Sequence, residues 1–81
     1  MEEITDIKLE TEADLDLFGN PSKIRVVVTS NKLFVIPEKG FQEKISFDLN
    51  RIEGFNIRQV VGSAFFQVKI DGYYIDVVRF T

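Results

Sequence analysis

The chain has 81 residues, a formal net charge of −3 from 13 acids and 10 bases, and no cysteine, histidine or tryptophan. That length holds one small domain, and an apolar fraction of 44% is that of a globular protein rather than a disordered one. The missing residue types exclude a disulfide frame, thiolate zinc or iron–sulfur sites, a thiol nucleophile and any histidine-based triad or metal ligand, so a binding or structural role is the default.

The charge is unevenly placed. The first 16 residues carry Glu2, Glu3, Asp6, Glu10, Glu12, Asp14 and Asp16 against Lys8, a net of −6, and residues 17–81 carry +3. Residues 1–11 read as a solvated, acidic lead-in. A sharper alternative has this segment covering a basic face of the body. A diffuse +3 is too weak for nucleic acid or anionic lipid. No apolar stretch reaches the length of a membrane helix, and the acidic N-terminus lacks the basic start of a secretory signal.

From residue 12 onward the apolar period is two. Ala13, Leu15 and Leu17 alternate with Asp14 and Asp16 and predict a strand, which Gly19-Asn20-Pro21-Ser22 turns. Residues 24–36 read as a β-hairpin around Ser30-Asn31-Lys32, closed by Pro37-Glu38-Lys39-Gly40. Ile45, Phe47 and Leu49 alternate next, followed by Ile52, Phe55 and Ile57, with Gly54 marking a bulge or bend. After Gly62-Ser63, the residues Ala64, Phe66, Val68 and Ile70 alternate with Phe65, Gln67, Lys69 and Asp71. Asp71-Gly72 is a type I′ hairpin signal, and Tyr73–Phe80 forms the last strand. About seven strands with short connections predict an antiparallel meander that curls into a small barrel or two crossed sheets.

Three groups of side chains are candidates for chemistry. Asp14 and Asp16 point to one side of a strand, as a Ca²⁺ or acid–base pair would, but two ligands fall short of what Ca²⁺ needs and a solvated face explains them. Lys23 and Arg25 are a candidate anion contact at the start of the second strand. Phe47, Phe55 and Phe66 read as core. Phe65 alternates with polar residues, so it is expected exposed beside Tyr74, and with Arg79 these form a candidate interaction surface. The glycines form no nucleotide-binding pattern, and no cofactor or metal site is read from the chain.

The order of features resembles a known family. Glu12 to Gly19 is followed by the hairpin Val27-Val28-Thr29-Ser30-Asn31-Lys32-Leu33, then Ile45 to Ile52, Val61-Gly62-Ser63, and Asp71 to Thr81 with its terminal Arg79-Phe80-Thr81. This resembles the pleckstrin-homology-like (PH-like) N-terminal cytoplasmic region of bacterial ABC exporter half-transporters and, more loosely, bacterial PH and GRAM-like domains. The resemblance covers residues 12–81. It implies a seven-stranded antiparallel PH-like barrel of two orthogonally packed sheets. It also implies a parent protein that continues into membrane helices and an ATPase domain at the cytoplasmic face of the bacterial inner membrane, with all ATP-binding motifs outside this chain. The helix that usually plugs such a barrel at its C-terminal end is missing or truncated here, which leaves an apolar mouth and makes a homodimer a further expectation.

The leading expectation is therefore a non-catalytic accessory, regulatory or docking domain of an ABC-type transporter. Its partner would be another protein or the remainder of the parent chain, with no nucleic acid and with the membrane reached only through the parent. One alternative is a stand-alone PH/GRAM-like module for a protein partner or an anionic lipid headgroup. A second is an OB- or Sm-like nucleic-acid-binding barrel.

Overall fold

The structure, a computed structural model, describes residues 4, 6–38 and 44–81. It is all-β. The strands are β1 (Ile7–Leu15), β2 (Pro21–Thr29), β3 (Lys32–Pro37), β4 (Ile45–Asp48), β5 (Gly54–Val60), β6 (Ser63–Ile70) and β7 (Tyr73–Phe80), with one 3₁₀ turn at Leu49–Arg51. All neighbours pair antiparallel in a single seven-stranded sheet of order β4-β3-β2-β1-β7-β6-β5. The two expected sheets are thus one continuous sheet that folds back on itself. Core side chains from its two halves meet: Ile24, Val26, Leu33 and Val35 pack in one cluster with Val68, Val77 and Val78.

The two halves are joined at a narrow seam. Between β1 and β7 the only register pair is Leu15↔Arg79. By contrast β1 runs along β2 from Ile7↔Thr29 to Leu15↔Pro21, with bulges between Ile7 and Leu9 and between Ala13 and Leu15. β7 ends at Phe80, so the stretch Ile7–Glu12 of β1 has a strand on its β2 side alone among the described residues.

Several local expectations hold for the physical reasons that suggested them. Asp71 and Gly72 both take positive φ, 53° and 85°, as a type I′ turn demands. Glu53 fastens this turn by accepting hydrogen bonds from the Asp71 and Gly72 N–H groups at 2.8 and 3.2 Å. The Thr29 hydroxyl organises the β2–β3 turn by accepting from the Lys32 N–H at 3.0 Å.

Two boundaries move. The first strand begins at Ile7, inside the expected lead-in, because Ile7, Leu9 and Thr11 alternate with Lys8, Glu10 and Glu12 and have β2 to pair with. The following turn begins at Asp16 rather than Gly19. The Asp16 carboxylate accepts from Phe18 N and Asn20 N, both at 2.9 Å, and this local bonding ends the strand before Leu17. Residues 1–3 and 5 of the lead-in, and Lys39 and Gly40 of the turn expected after β3, lie outside the described residues.

Candidate functional site

The inner face of the curled sheet is concave. It is a cleft of about 940 Å³ whose walls are Leu9, Thr11 and Ala13 of β1, Val26 and Val28 of β2, Leu33, Leu49, Phe55 and Ile57 of β5, Phe66, Val78 and Phe80. Glu12, Asp14, Ser22, Lys23 and Thr81 stand at its rim. The period-two pattern explains the lining, because each strand turns its apolar set to one side. Leu9, Phe55 and Ile57 are turned inward yet remain 59%, 58% and 50% exposed.

That exposure corrects the expectation that Phe55 belongs to the core. Phe55 does stack on Phe66, with ring centroids 5.7 Å apart and planes 16° from parallel. Among the described residues no element covers its other face, because β5 is the sheet edge and the stretch of β1 across the cleft has no described strand beside it on that side. Inward orientation and burial are separate properties in an open curled sheet.

The exposed surface expected at Phe65 is also corrected. Phe65 is 7% exposed. The Arg58 guanidinium lies 4.4 Å from its ring centroid and that of Arg79 lies 4.9 Å away. Both arginines come from adjacent strands by register, through Arg58↔Phe65 and Phe65↔Arg79, so three consecutive strands build this stack on the outer face. Arg79 is further fixed by donating to the Ser63 hydroxyl at 2.9 Å. Tyr74 is half exposed, four register pairs away opposite Lys69, and the structure does not bring it onto the Phe65–Arg79 stack.

The anion contact expected at Lys23 and Arg25 is not assembled. Lys23 lies 3.7 Å from carboxylates of both Glu12 and Glu38, and the Arg25 Nε donates to Glu10. The cause is register: Glu12↔Arg25 and Glu10↔Val27 place the acids of β1 beside the bases of β2. Acids of the first strand thus pair with two bases of the body along one ladder, and all four side chains stay partly exposed. The Arg25 guanidinium beside Glu10 holds that carboxyl below the ordinary carboxylate range, and the same contact raises Arg25.

The candidate aspartates are also in use. The Asp14 carboxylate accepts from the Thr81 N–H at 3.0 Å and from the Thr81 hydroxyl, and these bonds lower its pKa. Asp16 braces the β1–β2 turn. No group of three or more acidic side chains with metal-binding proximity occurs among the described residues.

Alternation alone gives no sign of a polar chain across the outer face of β5, β6 and β7. The Asn56 amide donates to Gln67 at 2.9 Å, the Gln67 amide donates to Asp76 at 2.7 Å, and Arg58 donates to Asp76 at 3.2 Å. Gln67 is buried, and each of its side-chain atoms is partnered. The buried member of the network, Gln67, is thus fully satisfied.

Fold and cleft together define a small all-β domain whose apolar inner face is left open. No family model, curated protein or solved structure matches the chain. Among the described residues no helix is long and apolar enough to cross a membrane.

Proposed function

We propose that this chain is a non-catalytic docking domain whose open inner face receives a protein partner. The observation that carries the reading is the set of inward apolar side chains, Leu9, Phe55 and Ile57, left half exposed around a cleft of about 940 Å³. Apolar side chains gathered in a concavity and rimmed by polar ones are what a partner surface covers. The charged side chains first considered as sites are engaged within the fold: Lys23, Arg25, Asp14 and Asp16 each have a partner there.

The setting we propose is a bacterial ABC-type transporter, with the domain on the cytoplasmic face as an accessory or regulatory unit. This rests on the resemblance of residues 12–81 to the PH-like N-terminal region of exporter half-transporters. The neutralised Lys23 and Arg25 lend no support to a lipid-headgroup role.

Deleting residues 1–81 from a transporter that carries them, and separately replacing Leu9 and Ile57 by aspartate, tests both parts. Assembly, export rate and ATPase rate are measured. Loss of assembly or a changed rate in both variants is expected. Unchanged behaviour in the deletion overturns the transporter role. Unchanged behaviour in the aspartate variant alone overturns the cleft as the contact.

A further inference from the structure

The cleft borders a strand edge. Over Ile7–Glu12 the described residues place a strand on the β2 side of β1 and none on the other, since the β7 pairing is confined to Leu15↔Arg79. A strand with one free side presents a row of backbone donors and acceptors, and natural proteins usually blunt such an edge with a short strand, a proline, a bulge, charged side chains or a covering element. Here the edge is the six residues Ile7–Glu12 of a nine-residue strand; it carries a bulge between Ile7 and Leu9 and the charged Lys8, Glu10 and Glu12, but no proline, and it opens beside Leu9, Thr11, Phe55 and Ile57.

The two faces of this edge differ in kind. Leu9 and Thr11 line the apolar cleft, while Lys8, Glu10 and Glu12 alternate with them on the outer side. Lys8 pairs with Asp6, Arg25 with Glu10, and Lys23 is shared between Glu12 and Glu38. With Asp14 at the rim of the cleft, three bases (Lys8, Lys23 and Arg25) stand against five acids (Asp6, Glu10, Glu12, Asp14 and Glu38), a local net of −2. A strand laid along this edge would alternate likewise, one set of side chains entering the cleft and the other standing beside Glu10 and Glu12. Opposite-charge neighbours across strands stabilise the pairing and like charges oppose it.

We propose that the free edge of β1 over Ile7–Glu12 is a docking strand for an extended segment of a partner protein in which apolar residues alternate with lysine or arginine. The partner adds a strand to the sheet, its backbone pairs with β1, and its apolar residues fill the cleft. The inference rests on the docking reading above and names the chemistry of its occupant.

The test is a titration of the isotope-labelled chain, followed by NMR, with four synthetic peptides. One alternates lysine with valine, a second has the same sequence with alternate backbone amides methylated, a third replaces lysine by glutamate, and a fourth is an amphipathic basic helix. The expected result is binding of the lysine–valine peptide. Amide shifts should be concentrated at Ile7–Glu12, Phe55 and Ile57, and affinity should fall as salt is raised. Backbone methylation or exchange of lysine for glutamate should weaken binding by roughly tenfold or more, as should Leu9→Asp or Ile57→Asp in the chain, where one apolar contact is lost. Leu9 and Ile57 are exposed, so these variants should retain the folded spectrum, which the same experiment reads.

Equal binding of the methylated peptide overturns the backbone pairing, and equal binding of the glutamate peptide overturns the basic partner. Binding of the helix alone, with shifts in the cleft, overturns the strand inference and leaves the docking reading standing. Self-association of the free chain through β1 that the lysine–valine peptide does not displace also overturns it. Shifts from none of the peptides overturn the inference, and the transporter variants then decide the docking reading separately.

Discussion

Asp14 and Thr81 lie 67 positions apart and are tied together at the seam of the sheet, where the Asp14 carboxylate accepts both the backbone N–H of Thr81, at 3.0 Å, and its hydroxyl. Next to this clamp is Leu15↔Arg79, the single β1–β7 register pair. The first strand and the last are therefore held by very few bonds, and the clamp helps to close the sheet into one body.

The clamp makes stability depend on pH in a definite direction. Asp14 is held below its ordinary pKa by Thr81, so the unfolded chain takes up the proton first as pH falls. Its contribution is fully present above the unfolded pKa and is lost as pH falls through the lower folded value. Asp6 and Glu10, lowered by hydrogen bonds from Ser30 and Arg25 respectively, add to the same acid limb. Denaturant titrations from neutral pH down through the carboxylate range should show stability declining, and Asp14→Asn should flatten part of that decline. An identical slope in the variant would show that the clamp is not formed in solution.

Val68 is completely buried where the two halves of the sheet meet. Val68→Ala removes two methyl groups and leaves space that the surrounding strands can close only in part. A loss of about 2–3 kcal/mol is expected from transfer and cavity effects together. For a domain of this size that is a fall in Tm of roughly 10 °C or more, measurable by thermal denaturation. Val61→Ala, in a fully exposed turn, should change stability by less than about 0.5 kcal/mol.

Gly19 and Gly62 both sit at positive φ, 89° and 81°, but in different surroundings. A Cβ at Gly62 meets nothing, whereas one at Gly19 would lie 2.6 Å from the Arg79 guanidinium. Both alanine substitutions incur about 1–2 kcal/mol of left-handed backbone strain. Gly19→Ala should cost more, because Arg79 must also give up its position over Phe65 and its bond to Ser63. Equal costs by denaturant titration would show that Arg79 relocates freely.

The Phe65 stack predicts a measurable coupling. In a double-mutant cycle with Phe65→Leu and Arg58→Met, the interaction energy should be about 0.5–1 kcal/mol, the range for a cation–π contact that is only partly desolvated. A coupling of zero would mean that Arg58 covers the ring through its aliphatic stem alone.

Gln67 is buried between two polar partners. Gln67→Ala should destabilise by about 1–3 kcal/mol, since Asn56 and Asp76 lose their shared partner. Gln67→Glu should be worse at neutral pH than at acid pH, because it sets a second carboxylate against Asp76. The difference between the two pH values is the informative measurement.

Much of this architecture was legible in residue order. Strict alternation in Ala64–Ile70 fixed which side of β6 faces inward, and Asp71-Gly72 fixed its hairpin, because only residues that accept positive φ make that turn. The site was less legible. Alternation placed Phe55 and Ile57 inward but could not say that the opposite wall stops short of covering them. It placed Phe65 outward but not beneath Arg58 and Arg79, since side-chain stems from neighbouring strands are invisible to a one-strand pattern. Lys23 and Arg25 looked free until register set Glu10 and Glu12 beside them.

The amino-acid sequence by itself determined an all-β chain of seven strands, the face each strand presents, and the turns that join consecutive ones. These follow from local rules of period, β-branching and positive φ. The tertiary structure alone decided that β1 and β7 meet at one pair, that Ile7–Glu12 keeps an open side, and that the inner face is a cleft rather than a filled core. Those features depend on how far non-neighbouring strands overlap, and that overlap is set by packing across the whole sheet.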